Sequence, residues 1–93
     1  MNEPLLRPRL TEIAGLVSDL GPLLGDGLYL HFGTRRVKCI TVAVQVSDVP
    51  CLLVTFETCN APYAVRLLTY DEITPRTFTC SKGAVLPAWF VGW

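Results

Sequence analysis

Five side chains of this 93-residue chain are of types that do nucleophilic chemistry or bind metal ions. They are the single histidine and the four cysteines, His31, Cys39, Cys51, Cys59 and Cys80. A Cys–His nucleophile needs the imidazole beside a thiol and a third group that orients the imidazole. Nothing in the sequence supplies that third group or an oxyanion loop. We therefore expect no catalytic residue and no enzymatic activity.

The spacing of the cysteines also disfavours a metal site. Zinc sites commonly bring two ligands within two to four intervening residues. No two of these cysteines are that close in the sequence. The sequence therefore predicts neither a metal nor a cofactor, and the thiols are expected to be reduced and packed as small apolar side chains.

One basic cluster, Arg35, Arg36 and Lys38, is a candidate anion contact. The alternative is a solvated turn, which a formal net charge of zero favours because no long-range field would attract an anionic partner. The glycines fit no phosphate-binding spacing. Aromatic residues are not interleaved with basic ones, as single-strand nucleic-acid binding requires. We expect no nucleic-acid partner.

The composition is typical of a binding protein rather than an enzyme. Hydrophobic residues make up 51% of the chain and charged residues only 17%, against roughly 25% charged residues in an ordinary soluble domain. A chain this short can bury only one core. The remaining apolar side chains have to lie on the surface, where they mark a contact surface, and zero net charge favours self-association.

The first ten residues, MNEPLLRPRL, contain an acid and two prolines but not the continuous apolar segment of a secretory signal. No segment reaches the roughly 20 apolar residues of a membrane span. We therefore expect a cytoplasmic protein with a single domain over residues 1–93. Residues 1–8 are interpreted as a loose lead-in, and residues 84–93 as an apolar strand or tail.

Hydrophobic periodicity predicts an α+β fold. Apolar residues from Leu10 to Leu24 recur at spacings of three and four, which predicts a helix from about residue 9 that ends at Gly21-Pro22. The period then becomes two, which predicts strands at 28–32, within 37–59, at 63–70 and at 77–80. Because the connections are short, we expect one N-terminal helix packed on an antiparallel sheet of four to six short strands in up-and-down order.

The centre of the predicted sheet is a hairpin over residues 37–59. A three-residue loop at 47–49 keeps one face buried and places Ile40 opposite Phe56, and Val42 opposite Val54. This register predicts a dry face that packs on the helix and a mixed face of apolar and polar side chains. The dry face consists of Ile40, Val42, Val44, Leu52, Val54 and Phe56. The mixed face consists of Cys39, Thr41, Ala43, Leu53, Thr55 and Glu57.

The mixed face suits a surface that a second subunit or the C-terminal tail covers. The aromatic tail is a second candidate surface, because Trp is enriched at binding hot spots, although these side chains could equally close the core of their own chain. The predicted partner contacts are Cys39, Thr41, Ala43, Leu53, Thr55, Glu57, Trp89, Phe90 and Trp93.

The favoured hypothesis is a non-enzymatic protein–protein interaction module, an adaptor or regulatory protein that is expected to be a homodimer and to use a sheet face or edge. The first alternative is a protein that binds a small apolar ligand between helix and sheet. A cysteine-based enzyme is the less favoured alternative.

Overall fold

The computed structural model describes residues 3–46, 48–81 and 87 of the chain, and of residues 3–8 it describes the backbone alone. Helix α1 (Glu3–Leu20) leads into a 3-10 helix (Gly21–Asp26). The strands that follow are β1 (Leu28–Phe32), β2 (Arg35–Val46), β3 (Pro50–Phe56), β4 (Ala64–Thr69) and β5 (Phe78–Cys80), with a second 3-10 helix (Tyr70–Glu72) before β5. The strands form one sheet in the order β4-β3-β2-β1-β5, and every neighbouring pair is antiparallel. The predicted α+β fold, one N-terminal helix on an antiparallel sheet, is confirmed.

Helix α1 begins earlier than the apolar spacing predicts. Residues 3–8, which were expected to be a loose lead-in, form its first turns. Pro4 lies at the second helical position, where the missing N–H has no intrahelical acceptor. The predicted end is confirmed, because the chain leaves the α-helical conformation at Gly21-Pro22 and continues as the 3-10 helix.

The hydrophobic core lies between α1 and one face of the sheet, which we call the inner face. Ile13 and Leu20 of the helix are completely buried against strand residues. The completely buried strand residues are Leu28, Leu30, Leu52, Val54 and Phe78. Burying one such side chain stabilises the fold by about 1.5–3 kcal/mol. This packing holds a helix whose Gly15 lowers its own helix propensity by about 1 kcal/mol relative to Ala.

The central hairpin has the predicted register at its loop end and a different register at its other end. Val42 pairs with Val54, and Val46 pairs with Pro50, as a loop at 47–49 requires. Cys39, however, pairs with Phe56 while Thr41 pairs with Thr55, so β2 has one extra residue between them. This extra residue, Ile40, forms a β-bulge. The predicted pairing of Ile40 with Phe56 is wrong.

The bulge exchanges the faces on which β2 side chains lie. Before it, the odd-numbered Val37 and Cys39 are buried in the core, with Cys39 only 4% exposed. After it, the even-numbered Val42 packs against the core, while Ile40 itself is 40% exposed. The assignments of Cys39 to the mixed face and of Ile40 to the dry face are therefore wrong. Because both parities of β2 are apolar around this point, alternation alone does not reveal the extra residue.

Strand β5 lies beside β1 and not beside β4, so the up-and-down order fails at the last connection. Residues 70–77 carry the chain from one edge of the sheet to the other, and Tyr70 and Ile73 pack against the core on the way. The backbone N–H of His31 donates to the carbonyl oxygen of Thr77 at 2.8 Å. Phe78, which is completely buried, then fills the core beneath β1. Burial of this aromatic side chain favours the crossing over a turn back beside β4.

Candidate functional site

The side chains that could do chemistry are separated from one another. His31 Nε2 lies 2.6 Å from the hydroxyl oxygen of Thr79 on the neighbouring strand β5. Cys80 donates from its thiol to a backbone carbonyl of the first 3-10 helix at 3.1 Å, and Cys59 is exposed. Within the described ranges, no group of three or more His, Cys, Asp and Glu side chains is arranged to hold a metal ion.

The Cys39 thiol is unreactive because it is buried. Burial raises the pKa of the Cys39 thiol from 9.0 to about 12. The thiolate is the nucleophilic form of cysteine, so this side chain stays protonated and unreactive near neutral pH. It behaves as a small apolar residue of the core, and it does not lie on the surface where a partner contact was predicted for it.

The face of the sheet opposite α1, which we call the outer face, has two halves that meet at the Ile40 bulge. The half over β4, β3 and the end of β2 carries apolar and threonine side chains and is called the apolar half. It consists of Thr41, Ala43, Leu53, Thr55, Val65 and Leu67. The half over β5, β1 and the start of β2 is called the basic half. It consists of Tyr29, His31, Arg36, Lys38 and Thr79.

The apolar half is built from two rows that cross three strands, and a third row on the same face, Gln45, Cys51 and Thr69, borders it toward the loop between β2 and β3. One row is Ala43, Leu53 and Leu67, which lie opposite one another in register. The other row is Thr41, Thr55 and Val65. Cross-strand neighbours of this kind stabilise each other by roughly 0.2–1 kcal/mol per pair. The rows align because β3 pairs without irregularity with both the end of β2 and the whole of β4.

The apolar half becomes more exposed toward β4. Leu53 on β3, which has a neighbouring strand on each side, is half-buried, whereas Leu67 is 49% and Val65 is 57% exposed. Helix α1 packs on the inner face, so among the described residues no helix lies over these side chains. Contiguous exposed apolar surface of this kind marks a contact site.

The charged groups of the basic half have partners within the protein. The Arg36 guanidinium lies 3.9 Å from the centre of the Tyr29 ring. Lys38 Nζ lies 4.0 Å from Glu57 Oε2, and the Glu57 N–H donates to the Lys38 carbonyl oxygen at 3.0 Å. Glu57 therefore contacts Lys38 through both its side chain and its backbone. An exposed ion pair of this kind contributes under about 1 kcal/mol.

The three predicted anion contacts do not converge on one point. Arg35 and Arg36 are adjacent in β2, and successive strand residues point to opposite faces. Accordingly, the Arg35 guanidinium lies 5.3 Å from the Phe32 ring on the inner side, and Arg36 covers Tyr29 on the outer side. A shallow depression of about 440 Å³ is lined by residues 35–38 and 57–59. Its cations are already engaged with aromatic rings or with Glu57, which favours a structural role for them.

An aromatic cluster at the end of the inner face was not foreseen from the sequence. The rings of Phe32 and Phe56 have their centres 5.8 Å apart. Two guanidinium groups cover Phe32, those of Arg35 and of Arg66, the latter 4.7 Å from the ring centre. Arg66 belongs to β4, so this contact ties the side chain of an edge strand to the inner face.

Sequence reasoning selected part of the apolar half and omitted its most exposed members. Thr41, Ala43, Leu53 and Thr55 lie on the outer face as predicted. Val65 and Leu67 were not selected, although the alternation in 63–70 already separates them from Arg66 and Leu68. The predicted contacts Trp89, Phe90 and Trp93 lie outside the described residues.

Comparison with known proteins gave no match to a protein-family model, to a curated protein or to a solved structure. The part of the chain that the structure describes contains no helix long and apolar enough to cross a membrane.

Proposed function

We propose that this chain is a non-enzymatic protein–protein interaction module that forms a homodimer and binds through the apolar half of its outer face. The observation that carries this proposal is the exposure of Val65 and Leu67, 57% and 49%, in register with the apolar side chains of β3. Antiparallel sheets that face water usually carry polar side chains on that face. A second protein that contacts Val65 and Leu67 on this edge strand would remove part of the exposed apolar surface from water.

The arrangement also has the composition of an interface. Protein interfaces combine a centre poor in charged residues with a polar rim. Here the centre is formed by Leu53, Val65 and Leu67, and the charged pair Lys38–Glu57 borders it beyond the bulge. Polar threonines separate the two regions. A partner could therefore bury the centre without removing a charged group from water.

A second copy is the simplest partner. The formal net charge is zero, so two copies do not repel each other at long range. A twofold dimer uses the same patch on both subunits, so a single self-complementary patch is sufficient. The low share of charged residues, 17%, adds to this tendency to self-associate.

The test is the mass of the protein in solution, measured by light scattering behind a sizing column at micromolar concentration. The variant Leu67→Glu places a charge on the apolar half. Its matched control is Val49→Glu, which places the same charge on a side chain of similar exposure, 45%, in the loop between β2 and β3.

We expect a dimer for the unchanged chain and for Val49→Glu, and a monomer for Leu67→Glu. The substitution removes two Leu side chains from each dimer interface, and each loss should weaken association by about 1.5–3 kcal/mol. The dissociation constant should therefore rise at least ~100-fold. A monomeric unchanged chain, or equal masses for the two variants, would overturn the proposal.

A further inference from the structure

In the part of the chain that the structure describes, the sheet ends in β4 on one side and in β5 on the other. The two edge strands differ in length and protection. Strand β5 has three residues, whereas β4 has six and pairs with β3 without irregularity. Proteins commonly protect an edge strand by making it short or by placing Lys, Pro or a bulge on it. The β4 sequence, AVRLLT, has no Lys, Pro or bulge, and its one charged side chain, Arg66, lies over Phe32 of its own chain. Among the described residues β4 pairs with β3 alone, so the backbone N–H and C=O groups along its other edge form a template for another strand.

We propose that β4 of one copy pairs antiparallel with β4 of a second copy, which joins two five-stranded sheets into one sheet of ten strands. This inference rests on the proposed function and adds the place and the register of the contact. Two identical antiparallel strands complement each other about a twofold axis normal to the sheet. Main-chain hydrogen bonds along the edge supply association, and the side chains on each face select the register.

The symmetry restricts the register. A twofold axis normal to the sheet keeps both α1 helices on the same side of the joined sheet. Inner-face side chains then pair only with inner-face side chains, because a one-residue slip would exchange the faces. The axis must therefore pass through one residue and its own copy. Centred on Arg66 the pairing aligns residues 64–68, and centred on Leu67 it aligns residues 65–69. Any other centre aligns a shorter part of Ala64–Thr69.

The charge of Arg66 distinguishes the two remaining registers. Centred on Arg66, the pairing would set this side chain directly opposite its own copy, and like charges in that position are destabilising. Centred on Leu67, the pairing sets Arg66 opposite Leu68 of the second copy. Each Arg66 guanidinium then keeps its place over Phe32 of its own chain. The register centred on Leu67 is the one we propose.

This register also continues the apolar half across the twofold axis. In each copy Ala43, Leu53 and Leu67 lie in one row across the strands. With Leu67 opposite its own copy, the two rows join into one row of six side chains on the outer face. Adjacent leucines at the axis cover part of each other's side chain, which is 49% exposed in the single chain.

Disulfide formation by substituted cysteines tests the register. Directly opposite strand residues have Cα atoms about 4.5–5.5 Å apart, a distance that a disulfide bridges. Leu67→Cys should therefore cross-link to its own copy under mild oxidation. Val65→Cys is the matched control, since it lies on the same face of the same strand. In this register the two copies of Val65 are roughly 13 Å apart along the strands. Both variants carry Cys51→Ser and Cys59→Ser so that native thiols do not compete.

We expect a covalent dimer for Leu67→Cys, none for Val65→Cys, and cross-linking again for the double variant Val65→Cys/Thr69→Cys, whose cysteines face each other. Cross-linking of Val65→Cys alone, or equal cross-linking of both single variants, would overturn the register. A dimer by light scattering that fails to cross-link through Leu67→Cys and through the double variant would overturn β4 pairing while the proposed function stands. A chain that stays monomeric would overturn both.

Discussion

The two halves of the outer face share one sheet, yet they use their side chains in opposite ways. In the basic half the polar groups are matched within the molecule: Arg36 covers Tyr29, and His31 contacts Thr79. In the apolar half, Val65 and Leu67 remain about half exposed. Chemically versatile side chains therefore lie where the fold already satisfies them. Among the described residues, the most exposed apolar side chains of the outer face, Val65 and Leu67, have no chemistry of their own.

The boundary between the halves is the bulge at Ile40. Before it, β2 turns Val37 and Cys39 toward the core and Arg36 and Lys38 outward. After it, the opposite parity faces the core and Thr41 and Ala43 lie outward. One extra residue thus allows a strand of 12 residues to carry two different outer surfaces over a continuous core.

Deletion of Ile40 should have the largest effect on stability, because it removes the bulge that separates the two halves of the outer face. Without the extra residue, odd- and even-numbered side chains alternate between the two faces along the whole of β2. Either Val37 and Cys39 or the core residues after the bulge must then leave the core. Two core side chains at about 1.5–3 kcal/mol each predict a loss of ~3–6 kcal/mol, or failure to fold. Urea unfolding measures this loss. The control Ile40→Ala keeps the chain length and should cost no more than ~1 kcal/mol, because the side chain is 40% exposed. A deletion variant as stable as this control would contradict the role of the bulge.

Substitution of Cys39 should have an intermediate effect. Cys39→Ser places a hydroxyl in the core and should lower the free energy of unfolding by ~1–3 kcal/mol. Cys59→Ser, at an exposed position, should change it by less than ~0.5 kcal/mol. Equal effects of the two variants would contradict the burial of Cys39.

The same thiol predicts a pH dependence. Burial raises the Cys39 pKa from 9.0 to about 12. Between these values the unfolded chain releases the proton and the folded chain keeps it, so stability should fall as the pH rises from about 9 to about 12. Below pH 9 this contribution is complete. Chemical denaturation of the unchanged chain and of Cys39→Val at several pH values isolates the contribution of this thiol. The free energy of unfolding should fall less steeply with pH in the variant. Parallel curves would show that Cys39 does not have a raised pKa.

Substitution in the basic half should have the smallest effect on stability and should leave the dimer intact. Arg36→Met keeps an apolar cover over Tyr29 but removes the cation, at an expected cost of ~0.5–1 kcal/mol in stability. Lys38→Met is the control, and its exposed ion pair with Glu57 should contribute less. Neither variant should alter the dimer mass in light scattering. Dissociation by Arg36→Met comparable to that by Leu67→Glu would move the contact surface to the basic half.

Much of the fold follows from local patterns. Apolar spacing located the buried helix residues Ile13, Leu16 and Leu20 and the end of α1 at Gly21-Pro22. Strict alternation located β1, and in β3 it identified the buried residues Leu52, Val54 and Phe56. The parity argument gave the correct pairing of Val46 with Pro50. These signals succeed because each depends on which side of one element meets the core.

The bulge and the course of the last strand did not follow from such patterns. Ile40, Val37 and Cys39 are all apolar, so the sequence is compatible with either parity at the start of β2, and the common packing against Phe56 and the helix selects one. Likewise, alternation at 77–80 identifies a strand but not its neighbour. Phe78 is completely buried in the core opposite Leu30 of β1.

Composition and the periods of 3.6 and two already predict an excess of apolar residues, a helix with one apolar face and strands with two usable faces. Which apolar side chains remain outside the core depends on tertiary contacts. That choice depends on the bulge that moves Cys39 inward and Ile40 outward, and on the position of β4 at the edge of the sheet. Neighbours distant in the sequence set both, and they leave Val65 and Leu67 as the surface from which function is proposed.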